Sequence, residues 1–408
     1  MLDLCLIAMP DLALSEPRMY FPLGILYLAG MAEEAGCEVE IADCRDGIKK
    51  LPNAKYYGFS CVTPHINQAK RMSQGLKGQT VIGGSHPTVA PEDCQGYFDY
   101  IVRGEGEETL LDILNGQYPN GGIINSSRIR DLDIIPNPAW HKIKNPFSKT
   151  LFTGARYGEG ELSAPIMASR GCPYACAFCG NMLRTPVIFR SVDSIASEIF
   201  LLKIEYGIRK FRFVDDNFTI HPNLEDLCKE IKEFHISYRC HTRANFITPE
   251  KARLLRESGC EECSLGVESA DDSVLKLNNK KLTVEQNKEA VRILHKSGLK
   301  VKIYWMSGLP GETDETIDKN IEFMQELKPA KWTLSCFAPY PGCDIYNNPD
   351  KYGVEILNTN FDNYWNFVFE ENGKKFPGRE GYIHKLKGQT IEQMTERHHK
   401  FDTFLRSL

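Results

Sequence analysis

The chain has 408 residues, 42% of them hydrophobic and 25% charged, and its 49 basic and 54 acidic side chains leave a net charge of -5. This length predicts more than one hydrophobic core, because single domains usually span about 100 to 200 residues. No run of like charges indicates a nucleic-acid partner or a polybasic membrane patch, and no segment approaches the roughly 20 apolar residues needed to cross a bilayer. We therefore expect a cytoplasmic protein with neither nucleic acid nor membrane as partner.

Residues 1–126 alternate strand-like and helix-like segments. The strand-like runs are DLCLIAMP, EVEIAD, YYGFSC, TVIGG and YIVRG, and a helix is predicted from Leu23 to Ala35. This alternation predicts an α/β fold of the doubly wound, Rossmann-like kind, whose ligands bind beyond the carboxyl ends of the strands. Small and hydrogen-bonding residues gather at those ends: Ser60, Thr63, Gly83, Gly84, Ser85, His86, Thr88, Gly104 and Glu105.

Residues 127–160 are predicted to form an irregular linker, since Pro and Asn interrupt the periodicity. The strand and helix alternation then resumes over residues 161–343, with strand-like runs PIMAS, KFRFVDD, SYRCHTRA, CSLGVES, KVKIYWMSGLP and WTLSCFAPY. Six such units predict a partial (β/α)6 barrel of the TIM type, because a full barrel of eight needs about 250 residues. Residues 344–408 are predicted as an irregular and helical extension, with an amphipathic helix from Thr390 to Leu405.

Three cysteines, Cys172, Cys176 and Cys179, lie in SRGCPYACAFCGN, directly after the first predicted barrel strand. Thiolates suit iron-sulfur clusters or zinc, and three of them on a four-iron cluster leave one iron open to a ligand. A structural zinc ion needs a fourth ligand, and no Cys or His follows at the usual finger spacing. Cys260 and Cys263 form a second CxxC pair, but Cys263 begins an apolar strand and is expected to pack in a core.

The cysteine segment, including Phe178 before its last cysteine, resembles the signature of the radical S-adenosylmethionine (SAM) superfamily. The resemblance implies a [4Fe-4S] cluster on the three cysteines, whose open iron binds SAM and whose electron cleaves it to a 5'-deoxyadenosyl radical. The motifs FVDD, TRAN, GVES and MSGLPGET follow at successive strand ends, in the order found in that superfamily. They imply contacts to the methionyl group from Asp215, Asp216 and Arg243, and to the adenosine from Glu268, Ser269, Met306 and Gly308.

Two tyrosines, Tyr304 and Tyr340, fall near the ends of the fifth and sixth predicted barrel strands. They are candidates for catalytic side chains that face a substrate, and packing in the core is the alternative.

The N-terminal half resembles the cobalamin-binding domain fused to one branch of radical SAM enzymes, in YFPLGILYLAG with Leu23 and Gly24, and in VIGGSHPTVAPED and YIVRGEGEETL. The resemblance implies that the strand ends described above seat cobalamin, in the methylcobalamin form. Histidine-ligated cobalamin domains carry an Asp-x-His-x-x-Gly loop, which this chain lacks. A cobalamin without a histidine ligand is therefore implied, and neither His65 nor His86 is expected to bind cobalt.

The combined resemblance implies a class B methylase: an enzyme that abstracts hydrogen from an unactivated carbon of a small-molecule or peptide substrate and transfers a methyl group from methylcobalamin. An external one-electron donor such as flavodoxin or ferredoxin is implied as partner. One alternative is a cobalamin-binding radical SAM enzyme that catalyses rearrangement, cyclisation or epimerisation without methylation. An alternative of another class is a cobalamin-responsive sensor or carrier with a structural cluster.

Overall fold

The computed structural model describes residues 1–10, 21–144, 146–149, 162–180, 182–364, 370–371, 374–375 and 381–408. Residues 145 and 150–160 of the predicted linker lie outside this set. The chain divides into two compact units, called here unit 1 and unit 2. Unit 1 contains residues 1–148, 181–183 and 360–365, and unit 2 contains residues 149–180, 184–359 and 366–408.

Unit 1 is built on a parallel sheet of six strands in the order β2-β1-β3-β4-β5-β6. Its strands are β1 (Leu2–Ala8), β2 (Val39–Asp43), β3 (Ala54–Ser60), β4 (Gln79–Gly83), β5 (Tyr100–Arg103) and β6 (Gly122–Asn125). Its helices are α1 (Leu23–Glu34), α2 (Ile66–Ser73), α3 (Ser85–Val89) and α4 (Glu107–Leu114). The five predicted strands and the doubly wound fold are confirmed, and the edge strand β6 is an addition that its four residues were too short to signal.

The strand order places a reversal of winding direction between β1 and β3, and a doubly wound sheet binds its ligand at such a switch point. Residues 4–8 of β1 are buried on both faces of the sheet, which explains their continuous apolar sequence. At Gly58 of β3, an added Cβ would lie 2.6 Å from a methyl carbon of Leu6, so a larger residue there would make the Leu6 side chain shift. The two strands therefore pack closely beneath the edge where they end.

Unit 2 contains a sheet of seven strands in the order β15-β14-β13-β12-β11-β8-β7, with parallel pairing from β8 to β15. Its strands are β7 (Ser148–Lys149), β8 (Leu162–Ile166), β9 (Ser169–Arg170), β10 (Ile188–Phe189), β11 (Lys210–Phe213), β12 (Ser237–Thr242), β13 (Cys260–Glu268), β14 (Lys300–Ser307), β15 (Lys331–Cys336), β16 (Val354–Ile356), β17 (Glu370–Glu371), β18 (Lys374–Lys375) and β19 (His384–Leu386). Its helices are α5 (Val192–Tyr206), α6 (Leu224–Glu233), α7 (Pro249–Glu257), α8 (Asp272–Leu277), α9 (Val284–Lys296), α10 (Asp314–Leu327), α11 (Asp344–Asn347) and α12 (Ile391–Arg406). The six predicted strands and the partial barrel are confirmed.

The first barrel strand differs from the prediction in its position. PIMAS was expected to be one strand, whereas β8 ends at Ile166 and Ser169 begins β9, which pairs antiparallel with β10. This short ladder closes the loop that carries the three cysteines. The strand therefore ends earlier because its last predicted residues form the base of that loop.

Local sequence signals set where several helices of unit 2 begin. The Thr248 hydroxyl accepts the N–H of Lys251 at the start of α7, and capping boxes begin α9 at Thr283 and α12 at Thr390. The predicted amphipathic helix is thus α12. Within the described ranges, none of the helices has the length and apolar character that a bilayer crossing requires.

Candidate active site

The cysteine loop of unit 2 is a folded structure at the carboxyl end of β8. Gly171 precedes it with a φ of 109°, and the N–H of Cys172 donates to the carbonyl of Arg184 across 3.0 Å. The Arg184 guanidinium returns a hydrogen bond of 2.8 Å to the carbonyl of Cys179. Cys172 and Cys179 are half-buried, Cys176 is buried, and burial raises the pKa of the Cys172 thiol. The loop therefore presents three thiols on a braced backbone, as metal ligands require.

Arg243 lies against this loop from the end of β12. Its guanidinium carbon sits 3.8 Å from the centre of the Tyr174 ring, and its Nη1 is 3.7 Å from the Cys176 sulfur. Stacking of this kind fixes the guanidinium plane, and the positive charge lies beside the Cys176 sulfur. The structure thus brings together the cysteine loop and the predicted carboxylate-binding arginine.

The two predicted aspartates at the end of β11 have different surroundings. Asp215 is buried, and its carboxylate accepts the Ser169 hydroxyl at 2.5 Å and the N–H of Ala168 at 3.1 Å. Burial raises the pKa of Asp215 to about 6, against these hydrogen bonds. Its oxygens therefore hold the segment after β11 to the base of the cysteine loop, and contact of Asp215 with the methionyl group stays a prediction. Asp216 is exposed and keeps that prediction.

Glu268 lies at the end of β13 with a φ of 67°, a backbone conformation that residues other than glycine rarely adopt. Its Oε1 accepts a hydrogen bond of 3.0 Å from the Lys280 ammonium, and both side chains are buried. That ammonium is also 5.6 Å from the centre of the ring of Phe178, in the cysteine loop. Sequence reasoning missed Lys280, because a lysine in the run NNKK carries no signal of burial.

The neighbour of Glu268, Ser269, has a local role. Its buried hydroxyl oxygen accepts the N–H of Asp271 at 3.2 Å, just ahead of α8. The prediction that Ser269 contacts the adenosine is therefore not supported by its hydrogen bonding.

The glycine turn after β14 is supported from behind by the C-terminal extension. Gly308 has a φ of 80°, and an added Cβ would lie 2.4 Å from a ring carbon of Tyr382. The Gly308 carbonyl lies 2.9 Å from Nε2 of His384, and its N–H donates to Glu312 at 3.0 Å. Met306, two residues earlier, is half-buried and packs on the same apolar cluster as Phe178. The turn therefore has glycine because its backbone is enclosed on that side.

The two candidate substrate-facing tyrosines differ in position. Tyr304 lies within β14, three residues before its end, and its hydroxyl is 3.2 Å from Nε2 of His241 on β12. It was predicted at the strand end, and its engagement with His241 favours a role inside the barrel. Tyr340 is half-buried, and its Cβ lies 3.7 Å from where a side chain on Gly180 would begin, next to Cys179. Of the two, Tyr340 is thus the one beside the cysteine loop.

At the sheet edge of unit 1, several predicted ligand-facing side chains bind the protein itself. His86 is fully buried, with its ring nitrogens 3.2 Å from the Thr63 hydroxyl and 3.2 Å from the Asp93 carboxylate. The Thr88 hydroxyl donates to the Gly84 carbonyl at 2.7 Å and accepts the N–H of Gly104 at 3.0 Å. Thr63, His86 and Thr88 thus bond to the protein in this structure, and their contact with a cofactor stays a prediction.

Glu105 in unit 1 also bonds to the protein itself. Its buried carboxylate accepts the N–H of Ile129 at 2.7 Å and pairs with Arg128 at 3.5 Å. It therefore anchors the segment after β6, and its contact with a cofactor stays a prediction.

The remaining predicted residues of this edge are glycines, serines and one leucine. Gly84 has a φ of 103°, and an added Cβ would lie 2.7 Å from the carbonyl oxygen of Cys61. Gly24, at the start of α1, is exposed and has no atom within 4 Å of such a Cβ. The rest, Leu23, Ser60, Gly83, Ser85 and Gly104, are half-buried. The edge thus combines a tightly packed backbone with an open surface at α1.

Comparison with known proteins finds two families in this chain. Residues 17–114 match the B12 binding domain, and residues 166–324 match the Radical SAM superfamily. The first match covers most of unit 1 and the second begins at the last residue of β8, so each family falls on one of the two sheets. The resemblance drawn from the sequence motifs is confirmed.

Three relatives illustrate the similarity. An uncharacterized methyltransferase of Pyrococcus horikoshii is 29% identical, over 92% of this chain and 85% of its own length. A bacteriochlorophyllide d C-12(1)-methyltransferase of Chlorobaculum tepidum is 25% identical, over 88% of this chain and 79% of its own. Among solved structures, TsrM of Kitasatospora setae, a radical SAM methyltransferase, superposes with a TM-score of 0.69 at 15% identity, over all of this chain and 89% of that one. The last of these shows the fold alone.

Proposed function

We propose that this chain, which belongs to the family that joins a B12-binding domain to a radical SAM domain, is a cobalamin-dependent radical SAM enzyme that methylates carbon. The observation that carries the proposal is the convergence of Arg243, Glu268 and the Gly308 turn with the cysteine loop in unit 2. A structural cluster needs no guanidinium or carboxylate at neighbouring strand ends. The arrangement therefore favours an enzyme over a sensor or carrier.

The cysteine loop fits a [4Fe-4S] cluster. Cys172, Cys176 and Cys179 offer three thiols on one hydrogen-bonded loop, and the Arg243 guanidinium lies beside the Cys176 sulfur. When bound, the cluster supplies the electron that cleaves SAM to a 5'-deoxyadenosyl radical, and methylcobalamin supplies the methyl group. All further roles belong to the side chains of this chain.

The side chains around the loop would bind and orient SAM. Arg243 is positioned by Tyr174 to pair with the methionyl carboxylate, and the exposed Asp216 would lie near the methionyl ammonium. Glu268 would accept the ribose hydroxyls, with Lys280 setting the direction of its carboxylate. Gly308 would let backbone approach the adenosine from the side opposite Tyr382.

The sheet edge of unit 1 fits a corrinoid without a histidine ligand. His86 is held inside by Thr63 and Asp93, and burial lowers the pKa of His65 to about 4, which keeps that ring neutral and inside the core. Gly84 and the open face at Gly24 support close approach of a large planar group to backbone. We infer that cobalamin lies over this edge, as ligands do in doubly wound sheets.

The substrate class and the electron donor are further parts of the proposal. A small-molecule substrate accords with the methyltransferases that this chain resembles. We propose Tyr340 as a side chain that contacts the substrate, because it lies beside the cysteine loop. An external donor of the flavodoxin or ferredoxin type, acting in the cytoplasm, would supply the reducing electron.

The proposal is tested by anaerobic reconstitution with iron, sulfide and hydroxocobalamin, followed by addition of SAM and reductant. We expect both 5'-deoxyadenosine and S-adenosylhomocysteine, and neither from the Cys172→Ala variant. The Arg243→Gln variant should retain its iron and form 5'-deoxyadenosine at least about tenfold more slowly, since one charge-assisted bond is worth about 1.5 to 3 kcal/mol. Arg253→Gln, on the exposed face of α7, is the matched control and should behave as the wild type.

Other outcomes separate the alternatives. Deoxyadenosine without S-adenosylhomocysteine would point to a rearrangement, cyclisation or epimerisation. Retained iron and cobalamin with neither product would contradict catalysis and favour the sensor or carrier. An apoprotein that takes up no cobalamin would contradict the assignment of the unit 1 edge.

A further inference from the structure

Three thiols lie together in unit 2 on a pair of strands, apart from the cysteine loop. Cys240 is on β12, Cys260 and Cys263 are on β13, and all three are buried. The Cys263 sulfur is 4.0 Å from that of Cys240 and 3.8 Å from that of Cys260. All three sulfurs lie within 4.8 Å of one another. We call this group the strand thiol cluster.

A β-bulge creates the cluster. Residues three apart in a regular strand point to opposite faces, so Cys260 and Cys263 would normally be separated by the sheet. The pairing of β12 with β13 shifts by one residue, because Tyr238 faces Cys260 whereas Arg239 faces Glu262. The extra residue turns Cys260 to the face that carries Cys263. Because Cys263 faces Cys240 directly in the register, the third thiol joins the other two.

The distances between the sulfurs suit ligands of one metal ion. Metal–thiolate bonds of about 2.3 Å place two sulfurs about 3.8 Å apart in a tetrahedral site and about 4.0 Å apart in a trigonal one. A [4Fe-4S] cluster binds each cysteine through a different iron and needs wider spacing. The strand thiol cluster is therefore too tight for a second cluster of that kind.

Two hydroxyls and a fourth thiol lie close to the strand thiol cluster. Tyr238, two residues before Cys240, has its hydroxyl 2.7 Å from the Ser258 hydroxyl. Cys228 on α6 interacts with the same two hydroxyls and electrostatically with Cys263. A buried site with several thiols and hydroxyl donors suits a soft, d10 metal ion, since thiolates select Zn²⁺ and Cu⁺.

We propose that the strand thiol cluster binds a single thiophilic d10 ion, of the class of Zn²⁺ and Cu⁺, through Cys240, Cys260 and Cys263. Binding exchanges thiol protons for the metal ion and involves no change of oxidation state. The ion would link β12 to β13, the strands that end at Arg243 and Glu268. The site is thus structural and independent of the function proposed for the cysteine loop.

The test measures zinc, copper and iron per chain by mass spectrometry, in holoenzyme from cells grown with added zinc or copper. We expect close to one equivalent of zinc or copper in the wild type, with metal–sulfur distances of about 2.3 Å by X-ray absorption. Cys263→Ala and Cys240→Ala should each lose that metal at least about tenfold while keeping their iron. Cys5→Ala, which removes a buried strand thiol of unit 1, is the matched control and should retain both metals.

Three results would overturn the proposal. They are a wild type without stoichiometric zinc or copper under both growth conditions, retention of the metal in Cys263→Ala, and a disulfide within the cluster found by thiol alkylation of the unfolded protein. The first and third use the wild type, so they decide the matter even if a variant does not fold. Because iron is counted separately, failure here leaves the function proposed for the cysteine loop intact.

Discussion

A buried carboxylate, that of Glu312, supports the candidate site from behind the Gly308 turn. Glu312 is buried behind the Gly308 turn, where it accepts the turn's N–H and lies 3.6 Å from the Arg397 guanidinium of α12. Burial raises the pKa of Glu312 to about 7, and the hydrogen bond and Arg397 only partly oppose it. Above neutral pH the folded protein therefore holds a carboxylate that solvent would stabilise better.

Replacement of Glu312 by Gln should change how stability depends on pH. The pKa of Glu312 in the folded protein, about 7, exceeds the ordinary value of 4.5. Between pH 4.5 and pH 7, Glu312 is therefore protonated in the folded state more than in the unfolded state. The free energy of unfolding of the wild type, relative to Glu312→Gln, should therefore fall by about 3 kcal/mol as pH rises from 4.5 to 7. Guanidinium denaturation at several pH values measures this. Glu230→Gln, on the exposed face of α6, should track the wild type, and a flat difference for Glu312→Gln would contradict the argument.

Individual residues differ in how far their role follows from sequence. The cysteine spacing, Arg243 and Glu268 could be predicted, because each belongs to a motif whose chemistry needs that residue type. Asp215 and His86 could not, since a polar residue at a strand end gives no indication of whether it turns outward or binds the neighbouring strand. The burial of Lys280 follows only from the folded path of the loop after α8.

At the scale of elements, the C-terminal helix supports the barrel from the side of β14. Phe401 on α12 is almost fully buried, with its ring centre 5.4 Å from that of Trp305 on β14. His398 on the same helix has its Nδ1 2.8 Å from the hydroxyl of Ser307, the last residue of β14. The helix therefore packs at the strand end from which the Gly308 turn begins.

The Phe401→Ala variant should lose about 3 to 5 kcal/mol of stability in unit 2, as is usual when a buried aromatic ring is truncated. Phe404 is the matched control, because it lies on the same helix and is only half-buried. We expect Phe404→Ala to cost clearly less in chemical denaturation followed by tryptophan fluorescence. Equal losses in the two variants would show that α12 does not pack on Trp305 as described.

Periodicity predicted the long elements because their apolar faces repeat over many residues. The α12 helix and the six main barrel strands were found this way, whereas β6 and β9 were missed since two to four residues carry no period. The bulge in β13 was also beyond prediction. The shift depends on pairing with β12, which the sequence CEEC by itself does not reveal.

For the whole molecule, the two sheets place the two proposed cofactors in separate compact units. The cysteine loop belongs to unit 2 and the glycine-rich edge to unit 1, each with its own hydrophobic core. A fold assembled in this way should tolerate damage to one binding site without losing the other. The division of the chain into two units thus predicts that the two cofactors can be lost independently.

Loss of iron and loss of cobalamin should be separable by single substitutions. Cys172→Ala should lose its cluster and still take up hydroxocobalamin, because unit 1 is unchanged. Gly84→Ala should lose cobalamin and keep its cluster. Residues other than glycine rarely adopt a φ of 103°, and the new Cβ would lie 2.7 Å from the Cys61 carbonyl oxygen.

Gly75→Ala is the control, because Gly75 has a φ of 82° in the same unit but open space around it, so it carries the backbone strain without the clash. Iron assay and the absorbance of bound cobalamin measure the outcome. If Gly75→Ala lost cobalamin equally, the local clash at Gly84 would not be the cause. If Gly84→Ala also lost its iron, the binding of the two cofactors would depend on one cooperative fold.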